Sequence, residues 1–177
     1  MKRKNIKEKI KEYFFVNPTK RLRVRQIEKT LNLPLPSVIR YCKELTNEGI
    51  LRTIKTSGVV FYTADRTNEN FLLEKKLYNI KKLFLSGLIK YLKEEFHNSP
   101  IILFGSYAKG EDIEASDIDL YVETKSKKDV NLEKFEEKLK RKIQVFKFAS
   151  LKEIKNTHLA NNIINGIVLN GFVEVFK

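Results

Sequence analysis

The sequence predicts an α+β protein of two domains. Residues 1–65 read as three helices and a β-hairpin, and residues 99–177 as a small mixed-sheet domain. Residues 66–98 read as connecting helix, the later part belonging to the second domain. Three observations carry this reading. Before residue 50, apolar side chains recur three times at helical spacing, and β segments then flank Thr56-Ser57-Gly58. The stretch IILFGSYAKGEDIEASDIDLYV sets a Gly-Ser turn between two apolar segments. The charge is uneven: residues 1–64 hold 15 Lys/Arg against 5 acidic residues, and residues 65–177 hold 20 against 17.

The first helix is marked by Ile6, Ile10 and Phe14 and ends at Asn17-Pro18. The second runs from about Val24 to Leu31, with Val24, Ile27 and Leu31 inward and Asn32 as its break. The third spans about Pro36 to Glu48, with Val38, Cys42 and Leu45 buried and Gly49 as its stop. LRTIKTSGVVFYTA then forms the hairpin. LNLPLPSVIRYCKELTNEGIL and the hairpin after it resemble the winged helix-turn-helix of MarR-like transcriptional regulators. The resemblance implies that the third helix enters the major groove of double-stranded DNA and the hairpin touches its backbone or minor groove.

The basic N-terminal excess agrees with a nucleic-acid partner. Ser37, Arg40 and Lys43 are the hydrogen-bonding side chains of the third helix, with Arg40 suited to a guanine edge. Arg21, Arg23 and Arg25 crowd the start of the second helix, where cations oppose the helix dipole and a phosphate would relieve them. Arg52 and Lys55 on the hairpin are candidate phosphate contacts. Leu35, Pro36 and Ile39 are apolar where base readers are usually polar, so a protein-docking role for this module stays open.

Residues 68–97 read as one long helix or two in sequence, with Ser86-Gly87 as the weak point. Leu73, Leu77, Ile80, Phe84, Leu88 and Tyr91 form a stripe that Leu72, Leu85, Ile89 and Leu92 widen. A stripe this wide is expected to be mostly core, with a homodimer contact as the alternative.

Ile101 to Phe104 is an apolar strand of the kind buried in a mixed sheet. Gly105 permits a sharp turn, Ser106 adds a hydroxyl, and residues 106–109 would open a helix whose N–H groups cradle an anion. Asp117, Asp119 and Tyr121 alternate along the next strand, with Ile118, Leu120 and Val122 facing the core. Two carboxylates opposite a phosphate cradle suit Mg²⁺ held between protein and nucleotide oxygens, and without a metal they raise each other's pKa.

GSYAKGEDIEASDIDL resembles the signature of the nucleotidyltransferase superfamily of DNA polymerase β, most closely its minimal nucleotidyltransferase branch, over roughly residues 78–177. The resemblance implies that Asp117, Asp119 and Ser106 serve catalysis and that Asp117 and Asp119 hold Mg²⁺. It also implies that Gly105, Ser106 and Lys109 hold the phosphates of an NTP, with ATP the first choice. Lys109 stands where an arginine is common. Some relatives act as antitoxins on a toxin protein, so a protein acceptor is one expectation. The family also uses a third carboxylate on a later strand, often in Arg-Lys-Val-Asp-Leu. This chain reads Arg141-Lys142-Ile143-Gln144-Val145, which puts a neutral amide in that place.

The expectation is a Mg²⁺-dependent transferase of a nucleoside monophosphate to an unknown hydroxyl. The alternative is a DNA-binding regulator whose degenerate transferase fold binds nucleotide or scaffolds a dimer. Other classes fall away. The single cysteine, Cys42, excludes an intramolecular disulfide framework, and His97 and His158 are too far apart in sequence to favour a zinc site. The N-terminus is basic without an apolar signal core and no apolar run reaches membrane-spanning length, so a soluble cytoplasmic protein is expected. Residues 151–171 read as a closing helix and FVEVF as a terminal strand or tail.

Overall fold

The computed structural model describes residues 6–174, in two compact units that divide between Lys75 and Lys76. The last residues of FVEVF lie outside the described part.

In the first unit, α1 (Ile6–Val16), α2 (Val24–Leu31) and α3 (Leu35–Asn47) precede the strands β1 (Leu51–Thr56) and β2 (Val59–Ala64). Ile10, Phe14, Ile27, Val38, Cys42 and Leu45 are fully buried and form the centre of its core. Helix α3 ends on a glycine in the left-handed region: Gly49 has φ of 72°, and the Ile50 amide donates back to the Leu45 carbonyl at 2.9 Å. The hairpin turns on Ser57 and Gly58, both at positive φ, the two-residue geometry whose twist matches the flanking strands. Leu22 adds a short bridge to Tyr62 of β2, with mutual backbone bonds of 2.9 and 2.8 Å.

The helix α4 (Glu69–Ser86) carries the chain into the second unit, and α5 (Leu88–Glu95) follows a break at Gly87, whose φ is 85°. The stripe read along these residues divides. Leu83, Leu88, Ile89 and Leu92 are core, whereas Leu73, Leu77, Phe84 and Leu85 are exposed. Gly87, in the left-handed region, separates the two helices, and the apolar side chains beyond it on α5 are core while part of the α4 stripe stays in solvent.

The second unit is a four-stranded mixed sheet in the order β5-β4-β3-β6, made of β3 (Ile101–Phe104), β4 (Ile118–Glu123), β5 (Ile143–Phe148) and β6 (Ile167–Asn170). Strand β3 is antiparallel to β4 and β6, and β4 is parallel to β5. The one-turn helix α6 (Gly105–Lys109) follows β3, α7 (Glu133–Leu139) precedes β5, and α8 (Thr157–Ile164) precedes β6.

Both sheet faces are covered. Ile118, Leu120 and Val122 enter a core with α5 and Phe135 of α7. Tyr121 enters a second core with Ile102, Phe104, Leu151 and Ile163. Tyr121 lies on the face of β4 that carries the aspartates, as its spacing predicts, and there it is fully buried, with its hydroxyl donating to Glu123 at 2.9 Å. The closing helix is corrected. Leu151–Glu153 is a single 3₁₀ turn, α8 ends at Ile164, and residues 167–170 are a strand on the edge of the sheet. Gly166 permits this, since a Cβ there would meet the Leu103 carbonyl oxygen at 2.6 Å. Among the described residues no helix is long and apolar enough to cross a membrane.

Candidate functional site

The site begins where β3 ends. Phe104 pairs with Asp119 across the antiparallel ladder, so the turn that follows lies directly over that carboxylate. Gly105 has φ of 73°, a conformation that L side chains rarely adopt, and a Cβ on it would overlap Asp119 Oδ2. Glycine is therefore required twice at this position, for the backbone angle and for the space.

Asp117 is set just ahead of β4 by a tight turn. The Ile113 amide donates to Ser116 Oγ at 2.9 Å, and the Ser116 amide returns a bond to the Ile113 carbonyl at 3.0 Å. Asp117 and Asp119 are half-buried. The Asp119 carboxyl is held above the usual carboxylate range, first by burial and second by the negative charge of Asp117. Repulsion is the cause expected from the sequence, and the structure ranks burial above it.

Strand β5 completes the edge of the site. Gln144 pairs with Asp119 in the parallel ladder, and its Nε2 donates to Asp117 Oδ2 at 2.5 Å. The start of β5 is held by α7: the Ile143 amide donates to Glu136 Oε1 at 3.0 Å, and Lys142 Nζ donates to Glu136 Oε2 at 2.7 Å. These two partners, Lys142 first, hold the Glu136 carboxyl below its ordinary range. A cleft of about 690 Å³ opens beside Asp117, between Glu114, Ser116, Glu133, Glu137 and Lys140.

Beneath the site lies a buried polar network that the sequence did not signal. Asn79 donates to the Tyr107 carbonyl at 2.9 Å and to Asp112 Oδ1 at 2.8 Å. The Arg141 guanidinium meets Asp112 Oδ2 at 3.5 Å, with both side chains almost fully buried. The network ties α4 to α6 and to Arg141, which leads into β5. Each member is an ordinary polar residue in the sequence, and only the fold reveals its burial.

The residue set can be tested against a divalent cation. Among the described residues no group of three or more His, Cys, Asp or Glu side chains could hold a metal ion. Asp117 and Asp119 supply hard oxygen donors, and burial, with the neighbouring charge of Asp117, holds the Asp119 carboxyl above its ordinary range. The pair therefore fits Mg²⁺ when a phosphate ligand supplies further oxygens. Ser106, on the first turn of α6, is half-buried, and Lys109 at its end is exposed.

The basic residues of the first unit are also placed. Arg21, Arg23 and Arg25 are exposed, and the Leu22–Tyr62 bridge holds Arg21 and Arg23 beside the hairpin. The start of α2 is not left to cations alone, because the Arg23 amide donates to Gln26 Oε1 at 2.9 Å. On α3, Ser37 is half-buried and Lys43 is exposed. Arg40 is exposed but engaged: its Nη2 donates to the Tyr41 hydroxyl at 2.6 Å and its Nε lies 3.8 Å from Glu44. Arg52 and Lys55 are exposed on β1, three residues apart, so they point to opposite faces of the hairpin.

Residues 86–171 match the family described as Polymerase beta, Nucleotidyltransferase. The match contains Gly105, Asp117, Asp119 and Gln144 and supports the nucleotidyltransferase resemblance of the second unit, which points to nucleotidyl transfer in general. Residues before 86 lie outside it. No curated protein and no solved structure matches the chain.

Proposed function

We propose that the second unit binds an NTP, with ATP the first choice, as its Mg²⁺ complex and transfers the nucleoside monophosphate to a hydroxyl acceptor: the acceptor oxygen bonds to the α-phosphorus, the bond from that phosphorus to the β-phosphate oxygen breaks, pyrophosphate leaves, and the hydroxyl proton passes to solvent. The observation that carries this reading is the fit of Gly105 against Asp119. A left-handed glycine, whose Cβ would displace the Asp119 carboxylate, brings the backbone turn after β3 directly against that half-buried carboxylate. Asp117 and Asp119 would hold Mg²⁺, which when bound would offset the charge of the phosphates and of the carboxylate pair. Gly105, Ser106 and Lys109 would contact the phosphates, with Lys109 acting as a point charge rather than a fork. Gln144 can orient Asp117 through its amide but cannot take a proton from an acceptor hydroxyl. Activation of that hydroxyl is therefore the weakest element of the site.

The first unit is proposed to be a winged helix that docks on double-stranded DNA. The exposed arginines around the start of α2 and on β1 support this reading.

The Gln144–Asp117 hydrogen bond favours a second reading, in which a DNA-binding regulator uses the site to sense nucleotide without turning it over. Incubation with ATP labelled at the α-phosphate, Mg²⁺ and a cell lysate separates the two. Transfer requires a labelled product, protein or small molecule, that disappears in Asp117→Asn. Nucleotide binding with no labelled product under any divalent metal leaves the sensor.

A further inference from the structure

Large apolar side chains that stand in solvent are informative when they cluster, and in the second unit they cluster on one helix face. Leu77, Phe84 and Leu85 of α4 are 55%, 51% and 72% exposed. Leu77, Lys81 and Phe84 follow one another at i, i+4 and i+7, so they share a face. Phe84 also forms one wall of a groove of about 460 Å³, floored by Ile89 and rimmed by Lys90, Lys93, Glu94 and Asn98. An apolar face that continues into a groove is the geometry that receives another helix.

The charges around this surface select its occupant. Lys81 sits within the apolar stripe and is exposed, and Lys90 projects into solvent with its side chain 83% exposed. Lys138 reaches the end of the same helix, donating to the Ser86 carbonyl at 3.4 Å. Glu94 is the single acid on the groove wall, and it lies 3.9 Å from Lys90. A second copy of this chain fits poorly. A self-contact would set the same lysine-rich surface, Lys81, Lys90 and Lys93, against itself, with Glu94 the one acid on the groove wall. We infer that the Leu77–Phe84–Leu85 face and its groove dock an acidic amphipathic helix of a partner protein. Apolar residues of that helix enter the groove, and its Asp or Glu residues face Lys81, Lys90 and Lys93. The inference stands apart from the nucleotide chemistry and holds whether or not the Asp117–Asp119 pair turns nucleotide over.

The test uses the full chain and a displayed library of amphipathic helical peptides, with apolar residues fixed at i, i+3, i+4 and i+7 and the flanking positions randomised. Selected peptides should be enriched in Asp and Glu at the flanks. Their binding should weaken about tenfold or more in Leu85→Lys and in Phe84→Ser, and should fall as salt rises. Both positions are exposed, and an unchanged circular dichroism spectrum confirms that the variants fold. Selection without an acidic bias, no selected binder, or binders that ignore both substitutions would overturn the proposal. So would sedimentation showing a dimer of the chain that Leu85→Lys dissolves, because the face would then belong to a second copy.

Discussion

Gln144 donates its side-chain amide to the Asp117 carboxylate and stands beside Asp119 in the next strand, so one neutral group touches the region of both acids. A carboxylate in its place would add the charge and the proton acceptor that the amide lacks. Gln144→Asp is therefore expected to raise Mg²⁺- or Mn²⁺-dependent nucleotidyl transfer by about tenfold or more, which is about 1.4 kcal/mol of barrier. Label transfer measured side by side on wild type and variant checks this. Equal rates would separate Gln144 from the chemistry.

Asp119 gives a pH-dependent expectation. Its folded pKa is raised, so the native state holds the proton more tightly than the unfolded chain does. Stability then falls as pH rises from the ordinary carboxylate value through the folded pKa, and the cost persists at neutral pH. Asp119→Asn should raise metal-free stability slightly at pH 7, by a fraction of a kcal/mol after solvent screening and with a correspondingly small rise in melting temperature, the difference vanishing in acid. Thermal scans across pH 3–8 measure it.

Gly105→Ala should cost about 1–2 kcal/mol for a left-handed alanine, with a further cost as Asp119 is displaced. Nucleotide binding should fall together with stability. Urea unfolding and a nucleotide titration on the same preparation report both effects.

Asp112→Ala removes the acid that faces buried Arg141 and should destabilise the second unit by about 3–5 kcal/mol, although Asp112 lies outside the Asp117–Asp119 pair. Chemical denaturation gives the value.

For the first unit, binding to a random duplex should weaken steeply with salt. Replacing Arg21, Arg23 and Arg25 together by alanine should reduce the salt slope by about 0.9 for each phosphate that is no longer neutralised. Arg40→Ala should change sequence preference more than slope, since Arg40 must leave Tyr41 and Glu44 to reach a base.

What could be read from the sequence was local. Helical spacing and Ser57-Gly58 define the first unit's elements, and the resemblance of Arg141-Lys142-Ile143-Gln144-Val145 to the family's Arg-Lys-Val-Asp-Leu points to Gln144, which the sheet register sets beside Asp119. What could not be read depends on what the rest of the chain covers. Spacing puts Tyr121 on the aspartates' face of β4, but it does not show that a second core closes over that part of the face. Leu77, Phe84 and Leu85 look like core because spacing records a face and not its neighbour. Residues 167–170 continue a helical apolar rhythm, and only their fit beside β3, opened by Gly166, makes them a strand. The Asn79–Asp112–Arg141 network joins residues far apart in sequence, and no local pattern marks it.

Calorimetric titration of ATP into the full chain, with and without Mg²⁺, tests the central claim most directly. The account predicts binding that strengthens markedly with Mg²⁺ and loses that strengthening in Asp117→Asn. Absence of ATP binding, or binding that neither Mg²⁺ nor Asp117→Asn alters, would contradict it.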